Sequence, residues 1–252
     1  MSPSDAPRSP ALLQTEGVVV RFGGNTAVNE VSIDIRAGAV TGLIGPNGAG
    51  KTTLYNCITG MQRPDAGRVV FDGQDISRLP SGKRARMGMA RTFQRLELFL
   101  SLSVRDNLRV AGDIMRSNGN RSYDVEAETD RVIELTGLGD VAHLDVSDIP
   151  TGRARVVEVA RALMTAPRLL LLDEPASGQT EQETEKFAEL LQGLADDGLA
   201  VCLVEHDLPL VMALCSRIHV LDHGVLIASG TPAEVQTSAA VIEAYIGTEV
   251  VA

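Results

Sequence analysis

The sequence predicts an α/β protein that is built on a largely parallel, buried β-sheet and carries a small helical insertion. Short apolar segments alternate with amphipathic ones in the first and last thirds of the chain, which is typical of strands and helices packed in layers. The segments 169–173 (LLLLD) and 199–206 (LAVCLVEH) are apolar without alternation, as expected for strands covered on both faces. Between residue 95 and about residue 150 the strand signals disappear and apolar residues recur at helical spacing.

The N-terminal third is predicted to be rich in strands, because its β-branched runs are separated by Gly, Asn or Ala-Gly turns. The predicted strands are LLQTEGVVVRF (12–22), VSIDI (31–35) and AVTGLIG (39–45). A helix follows in KTTLYNCITG (51–60). Next come a strand, an Asp-Gly turn and a strand in GRVVFDGQDI (67–76), a short helix over 81–88 and a strand in MARTF (89–93).

The remaining elements are predicted to be two helices in the insertion, followed by renewed alternation of helices and strands. The insertion helices are LSVRDNLRVAGDIM (102–115) and YDVEAETDRVIELTGL (123–138). The later helices are RARVVEVARALM (153–164), 181–197 and LPLVMALC (208–215). They alternate with the strands LLLLD, LAVCLVEH and RIHVLDHG (217–224), the last of which runs into a turn.

Composition excludes several classes of protein. A chain of 252 residues that is 44% hydrophobic is not disordered, and its length indicates one large domain or a main domain with a smaller lobe. A net charge of −10 argues against nucleic acid or an anionic membrane as a broad partner. The three widely spaced cysteines indicate reduced thiols in the cytosol. Residues 1–10 are rich in Pro and Ser and are expected to form a flexible tail, and the chain has no apolar run long enough to span a membrane.

A glycine-rich loop between a predicted strand and a predicted helix has the spacing G-x-x-x-x-G-K-[ST]. Its glycines let successive N–H groups turn toward phosphate oxygens, and the following helix adds a favourable dipole. Lysine supplies a charge to the terminal phosphates, and the threonine hydroxyl is a ligand for Mg²⁺. The sequence therefore predicts a phosphate loop for a nucleotide with Mg²⁺. The loop consists of Gly45, Pro46, Asn47, Gly48, Ala49, Gly50, Lys51 and Thr52, and Thr53 follows it.

Acidic and histidine side chains at the ends of two apolar strands complete the predicted site. Asp173 and Glu174 follow the run LLLL, and ligands of parallel sheets bind at the carboxyl ends of strands. We interpret Asp173 as the partner of Mg²⁺ and Glu174 as the general base for the attacking water. His206 ends the next strand and could contact the γ-phosphate and that water. The alternatives are that the acids merely cap a strand and that the histidine is structural.

The ordered motifs resemble those of the ATP-binding cassette (ABC) family from about residue 12 to residue 247. They are GPNGAGKTT (45–53), RTFQ (91–94), GRARVVEVARAL (152–163), LLLLDEP (169–175) and EHD (205–207). The resemblance implies a P-loop NTPase core with a largely parallel sheet, an N-terminal antiparallel β-subdomain and an inserted helical subdomain. The implied boundaries within a single domain, 11–252, are 11–94 and 165–252 for the core and about 95–164 for the helical part.

The resemblance also implies roles for further residues. Gln94 would bind Mg²⁺ and respond to the permease, and it would act with Lys51, Glu174 and His206 in hydrolysis. Phe22 would stack on adenine and Val28 would pack beside the nucleotide. Three residues would lie in the groove for a permease helix, although ordinary packing explains them equally well: Leu96, Leu98 and Phe99.

Within the family, the chain resembles the ATP-binding subunits of branched-chain amino acid importers. The segments RTFQRLELFLSLSVRDNL and the terminal VIEAYIG are typical of that subgroup. This implies an ATPase that binds ATP and Mg²⁺ and drives separate transmembrane permease subunits from the cytoplasmic face of the membrane. A second ABC ATPase subunit and an external solute-binding protein would complete the system, without nucleic acid as a partner.

The signature segment of the family is altered in this chain. The usual LSGGQ, or the LPYGQ-like form of the importer subgroup, is replaced by Ile149, Pro150, Thr151, Gly152 and Arg153, and Thr180 stands where the family has Asp or Asn. Because two cassettes close head to tail, this segment would act on the nucleotide of the partner. We therefore expect a heterodimer with one weakened site. Arg153 would either pair with phosphate or impede closure.

Two other functional classes remain as alternatives: a soluble ABC ATPase outside transport, and a subunit that binds ATP with weakened hydrolysis.

A basic run over 78–95 contains no acid and could face lipid headgroups or a permease loop, while a solvated face is the plainer interpretation. Its members are Arg78, Lys83, Arg84, Arg86, Arg91 and Arg95.

Overall fold

The computed structural model describes residues 11–117 and 122–249, so the predicted flexible tail over residues 1–10 lies outside the described residues. The strands are β1 Ala11–Phe22, β2 Asn25–Val31, β3 Asp34–Arg36, β4 Ala39–Ile44, β5 Ala66–Phe71, β6 Gln74–Asp75, β7 Met89–Arg91, β8 Leu169–Asp173, β9 Ala200–Val204, β10 Arg217–Asp222 and β11 Val225–Gly230. The helices are α1 Lys51–Thr59, α2 Ser81–Arg86, α3 Val104–Ser117, α4 Val125–Leu135, α5 Thr151–Leu163, α6 Glu181–Asp196, α7 Leu208–Leu214, α8 Pro232–Gln236 and α9 Ala239–Glu249. None of the helices in these two ranges has the length and apolar character needed to cross a membrane.

The larger sheet has the strand order β11-β10-β4-β9-β8-β7. Its neighbouring strands run parallel, except that β11 pairs antiparallel with β10. Every residue of β8 and β9 is buried, which explains why both strands lack polar alternation. The predicted α/β class with a largely parallel sheet is confirmed.

Two hydrophobic cores cover the two faces of this sheet. Leu170 and Leu172 of β8 belong to a core that includes residues of helices α3 to α7. Leu169 and Leu171 belong to a second core, which contains α1 and the smaller sheet. The alternation follows from the two-residue period of a strand, so β8 joins the helical side of the molecule to the β-rich side.

The smaller sheet is the antiparallel N-terminal part that was expected. Its order is β2-β1-β5-β6, with β3 also paired to β1, and all of its pairs are antiparallel. The predicted Asp-Gly turn joins β5 to β6, with φ of 51° at Asp72 and 76° at Gly73. Positive φ at both central residues is the requirement of a type I′ hairpin turn.

The single strand predicted over residues 31–35 is wrong. The chain there divides into the end of β2 and the start of β3, and these pair with different parts of β1: Val31 lies opposite Val18, and Ile35 lies opposite Leu13. Between these pairs, Gly17 has a φ of 57° and its N–H donates to Ser32 Oγ at 2.8 Å. This irregularity in β1 interrupts the ladder, which the apolar pattern alone does not reveal.

The elements after residue 224 were not predicted. They are β11, α8 and α9, and α9 is described to Glu249. A sequence signal for α8 was present, because Thr231 and Glu234 form a capping box at its start. The short strand β11 is only partly buried and gives a weak pattern.

The parallel sheet brings four loops to one edge, since the carboxyl ends of parallel strands point the same way. These loops follow β4, β7, β8 and β9 and begin at Gly45, Thr92, Glu174 and Glu205. The functional residues predicted from separate motifs therefore share this edge.

The basic run over 78–95 is not one surface, so its interpretation as a single solvated or lipid-facing patch is wrong. Arg84 is 1% exposed. Its Nη1 donates to the carbonyl oxygens of Cys57 (2.6 Å) and Ile58 (2.7 Å), while Nε and Nη2 donate to the carbonyls of Leu79 and Ser77. The last carbonyls of a helix lack partners within the helix, so Arg84 caps the end of α1.

Replacing Arg84 by Met is expected to lower the free energy of unfolding by about 3 kcal/mol, because it leaves buried carbonyls without donors. Urea unfolding monitored by circular dichroism measures this loss. The control is Lys83→Met, since Lys83 is an exposed neighbour in the same helix and should change stability by less than about 0.5 kcal/mol. Equal small effects for both variants would contradict the capping role.

Candidate nucleotide site

The phosphate loop connects β4 to α1 in a backbone conformation that requires glycine. Gly45 has a φ of 149° and Gly50 a φ of 100°. A Cβ at Gly45 would lie 2.0 Å from the carbonyl oxygen of Leu221, and one at Gly50 would lie 2.5 Å from that of Ala27. The loop is therefore packed against the neighbouring backbone with no room for side chains. This packing fixes the direction in which the loop N–H groups point.

Lys51 lies at the first position of α1 and folds back over the loop. Its Nζ donates to the carbonyl oxygens of Gly45 at 2.6 Å and Pro46 at 2.9 Å. The residue is 7% exposed, and burial lowers the pKa of its amine, an effect that the charges of Glu174 and Asp173 oppose. The ammonium is thus held at the loop by carbonyl groups and nearby carboxylates.

A cleft of about 530 Å³ opens over this loop and gathers most of the predicted residues. Its lining from the loop and α1 is Asn47, Gly48, Ala49, Gly50, Lys51, Thr52 and Thr53. The opposite side includes Gln94, Glu174 and His206, together with His223 and Gly224. The volume and the polar lining suit a nucleotide with its phosphates over the loop.

Glu174 is held between two side chains that are distant in sequence. Its Oε2 accepts a hydrogen bond from Gln94 Nε2 at 2.9 Å, and its Oε1 lies 2.8 Å from His206 Nε2. The residue has a φ of 50°, and its N–H donates to the carbonyl of Val204 in the neighbouring strand β9. A carboxylate fixed in this way, at the rim of the cleft, can orient and deprotonate a water molecule.

Glu205 supports the loops of the site, a role that was not predicted from the sequence. Its carboxylate is buried and accepts hydrogen bonds from the N–H groups of Ala176 at 2.8 Å and His206 at 3.1 Å. Burial raises the pKa of this group, and the backbone hydrogen bonds oppose the rise. Glu205 thereby fixes the loop after β9 against the loop after β8. The signal in the sequence was an acid at the end of an apolar strand, beside His206.

The loop that carries Gln94 is attached to α5 by a buried ion pair. Arg155 donates to the carbonyl oxygens of Phe93 at 3.1 Å and Gln94 at 2.5 Å, and to Glu158 at 2.9 Å. The Glu158 carboxylate accepts in turn from the N–H of Glu97 at 2.9 Å. Movement of α5 therefore acts directly on the backbone of Gln94.

Asp173 lies behind the cleft and is paired with an arginine that the sequence analysis did not assign to the site. Arg91 Nη2 is 2.9 Å from Asp173 Oδ2, and the two side chains are 6% and 7% exposed. The backbone N–H of Asp173 donates to the Thr92 hydroxyl at 3.3 Å. The partner was not predictable from the motifs, because β7 and β8 are adjacent only in the sheet.

Three residues are predicted to hold Mg²⁺. Thr52, Gln94 and Asp173 offer hydroxyl, amide and carboxylate oxygens, which are the ligands that Mg²⁺ prefers. Over the described part of the chain, no group of three or more His, Cys, Asp and Glu side chains could hold a metal ion. The hydroxyl, amide and carboxylate oxygens of Thr52, Gln94 and Asp173 suit an ion whose remaining ligands are phosphate oxygens.

Phe22 and Val28 occupy different positions relative to the cleft. Phe22 is 53% exposed and pairs through its backbone with Asn25, which lines the cleft. Val28 is fully buried in the core behind the loop, where its Cγ2 would lie 3.5 Å from a Cβ at Gly50. Val28 thus supports the phosphate loop from behind, and Ala27 is the neighbour that lines the cleft. Adenine stacking by Phe22 stays a prediction.

A second groove, of about 520 Å³, lies beside β7. Residues of α2, α3 and α5 line it, together with Phe99, which is 49% exposed. Of the three residues expected in a groove for a permease helix, the structure places Phe99 in this lining. Leu96 and Leu98 are instead partly buried against the main core.

The altered signature lies at the start of α5 and does not line the cleft. Pro150 is the N-cap of α5 without a side-chain hydrogen bond, and Thr151 is exposed at its first position. Arg153 is engaged within its own chain. It donates to the carbonyl of Gly137 at 3.0 Å and forms an ion pair with Asp140.

Gly152, the remaining signature glycine, faces α6. A Cβ at Gly152 would lie 2.9 Å from Glu183 Oε2. The same oxygen accepts from the N–H of Thr180 at 2.8 Å, which makes Thr180 and Glu183 a capping box for α6. An acidic side chain therefore stands beside the glycine that the family resemblance assigns to phosphate.

Two families match the sequence. The ABC transporter family matches residues 28–177, and the branched-chain amino acid ATP-binding cassette transporter family matches residues 225–251.

The chain is also similar to curated proteins over nearly its whole length. The high-affinity branched-chain amino acid transport ATP-binding protein LivG of Salmonella typhimurium is 39% identical over 253 residues, which cover 95% of this chain and 99% of the relative. The corresponding protein BraF of Pseudomonas aeruginosa is 37% identical, covering 94% and 98%. The lipopolysaccharide export system ATP-binding protein LptB of Escherichia coli is 35% identical, covering 94% and 98%.

Solved structures match the fold. The ADP conformation of an ATP-binding cassette from an ABC transporter has a TM-score of 0.85 at 30% identity and covers 95% of this chain and 100% of its own. A nucleotide-free cassette from an ABC transporter has a TM-score of 0.84 at 30% identity and covers 94% and 100%.

Replacing Gly45 by Ala is expected to abolish ATP binding, because the new Cβ would overlap the Leu221 carbonyl at 2.0 Å. Binding of a fluorescent ATP analogue and urea unfolding measure the effect. Gly73→Ala is the matched control: Gly73 also has positive φ (76°), nothing lies within 4 Å of its Cβ position, and it lies in the turn between β5 and β6, outside the lining of the cleft. It should cost only the conformational strain, about 1–2 kcal/mol. If both variants bound ATP equally, close packing would not be the reason for Gly45.

Proposed function

The chain belongs to the ABC transporter family and is an ATPase of that family, and we propose that it is the energy-coupling subunit of an importer for branched-chain or related amino acids. The observation that carries the catalytic part is the Glu174 carboxylate, held by Gln94 and His206 over the phosphate-loop cleft. The relatives named for branched-chain amino acid transport, at 37–39% identity over nearly the whole chain, support the substrate class.

In the proposed mechanism the phosphate loop, the start of α1 and Lys51 bind and neutralise the phosphates of ATP. Glu174 orients the attacking water and accepts its proton, while His206 and Gln94 hold the carboxylate and the water in line with the γ-phosphorus. The bond to the leaving ADP oxygen breaks as the bond to water forms. Thr52, Gln94 and Asp173 would hold Mg²⁺ together with the phosphates, and the ion would supply further charge neutralisation.

We propose that transmembrane permease subunits are the partners and that the groove beside β7 receives a helical segment from one of them. Apolar side chains in its lining support this, since Phe99 and Ile114 are exposed at 49% and 55%. The adjacent Arg155 bonds the backbone of Gln94, so pressure on the groove can reach the catalytic carboxylate. The subunit would then act at the cytoplasmic face of the membrane, in a system with an external solute-binding protein.

We further propose a heterodimer with a second, different ABC cassette. Two features of the signature support an unequal pair of sites. Arg153 is engaged with Asp140 within its own chain, and Glu183 places a negative charge beside Gly152. The Glu183 carboxylate would oppose an incoming γ-phosphate of the partner's nucleotide there, and Lys186 in the same pocket would offset part of this effect. The comparisons do not favour an ATPase outside transport, since the relatives reported above are named as transport or export ATP-binding proteins.

Glu174→Gln in the assembled transporter is expected to lower kcat by about 10²–10⁴-fold, because the general base is lost, while ATP binding is retained. Steady-state ATPase assays and binding of a fluorescent ATP analogue measure the two effects. Glu181→Gln is the control, since Glu181 is an exposed acid on α6. Unchanged hydrolysis in Glu174→Gln would remove Glu174 from catalysis.

The equivalent glutamate-to-glutamine change in the partner cassette tests the heterodimer. Unequal sites predict that one of the two changes lowers ATPase activity several-fold more than the other. Equal losses, or a complex that contains two copies of this chain, would contradict the asymmetric heterodimer.

A further inference from the structure

Arg91 connects the predicted metal ligand to the groove, and this connection goes beyond the proposed function. Arg91 is the last residue of β7, and Asp173 is the last residue of the adjacent β8. Their contact at 2.9 Å is almost dry, since the two side chains are 6% and 7% exposed. A charge-assisted hydrogen bond of this kind is strong, because little water competes for either group.

The other nitrogen atoms of the Arg91 guanidinium are only partly satisfied by hydrogen bonds. Nη1 donates to Asn56 Oδ1 at 2.7 Å, and the group lies 5.5 Å from the ring centre of Tyr55 and 5.0 Å from that of Phe93. The Nε atom is buried and has no hydrogen-bond partner within the described ranges. A buried donor without a partner is unfavourable, so this position is not the best one available to the guanidinium once Asp173 no longer attracts it.

The Asp173 carboxylate faces competing demands. It bonds Arg91 through Oδ2, and it is the carboxylate assigned to Mg²⁺ in the proposed site. A guanidinium and a divalent cation sharing one nearly dry carboxylate would repel each other strongly. Asn56 and the two aromatic rings leave the guanidinium other contacts when Asp173 turns to the metal.

We propose that Arg91 is a positioning residue that holds the Asp173 carboxylate until Mg²⁺ arrives with the nucleotide and then yields it to the metal. Arg91 acts as an internal cation, so it weakens the apparent affinity for Mg²⁺ and keeps Asp173 oriented before the metal binds. The inference rests on the proposed MgATP site.

Arg91 also links metal binding at Asp173 to the surface groove. Arg91 and Phe93 both line the groove beside β7, and the guanidinium lies against the Phe93 ring. When Arg91 leaves Asp173, its contacts with the groove lining change. A partner segment in the groove that favours the displaced arginine therefore favours metal binding, by the reciprocity of linked equilibria.

The first experiment titrates Mn²⁺, detected by electron paramagnetic resonance, into the full chain saturated with ADP, which avoids turnover. Arg91→Met should lower the Mn²⁺ midpoint by about tenfold or more, the effect of one charge-assisted hydrogen bond no longer competing. Arg91→Lys keeps the charge and should give an intermediate midpoint. Arg86→Met should match the wild type, because Arg86 lines the groove but is exposed.

A thermal-unfolding experiment separates this role from a merely structural one. Without divalent cation, Arg91→Met should have a lower Tm than the wild type, because Asp173 is left buried without its partner. Mn²⁺ with ADP should reduce this difference, since the metal replaces the arginine. A Tm difference that Mn²⁺ and ADP leave unchanged, with an unchanged Mn²⁺ midpoint, would overturn the proposal.

Movement of the guanidinium can be followed directly with Phe93→Trp, which introduces the sole tryptophan of the chain. Adding Mg²⁺, a diamagnetic ion that does not quench tryptophan, to the ADP complex should change its fluorescence, and the change should vanish in the double variant with Arg91→Met. A response that persists in the double variant would contradict displacement of Arg91. If the wild type bound neither ATP nor ADP, the proposed function would fail too, whereas normal nucleotide binding with no effect of Arg91 would overturn this inference alone.

Discussion

The parallel register of the central strands is the constraint on which the rest of the structure depends. β4, β9, β8 and β7 end at one edge, so the loops that follow them meet there. Glu174 reaches Gln94 and His206 over sequence separations of 80 and 32 residues only because of this alignment. A register shift by one residue in β8 would turn its side chains to the opposite face and exchange the two cores that Leu169 and Leu170 enter.

Buried charges fix the loops at this edge. Arg155 with Glu158 holds the backbone around Gln94, and Glu205 fixes the backbone around His206. Buried ion pairs contribute little net stability, because the desolvation of two charges offsets their attraction. Their role here is geometric, since each one ties a loop to a neighbouring element at hydrogen-bond distance.

The negative net charge of the chain does not prevent a negatively charged ligand from binding, because the local structure of the site differs from the average surface. A chain with a net charge of −10 can bind a polyanion because the proposed phosphate site consists of backbone N–H groups, a helix start and one lysine. The carboxylates nearby are each held by hydrogen-bond donors: Asp173 by Arg91, and Glu174 by Gln94. Bulk charge describes the solvated surface, whereas binding is decided by a few buried groups with fixed directions.

The sequence by itself determined the fold class, the phosphate loop and the acidic strand end, because each of these is a local pattern with a direct physical cause. Gly45 to Lys51 have the spacing of a phosphate loop, and the apolar runs have the composition of buried strands. The tertiary structure decided which residues meet. It paired Arg91 with Asp173, placed Arg84 inside the molecule, turned Arg153 toward Asp140 and split the strand predicted over 31–35. Those outcomes depend on contacts between strands and helices that are far apart along the chain. The periodic pattern of one segment predicts its own secondary structure but does not show which other segments it will contact.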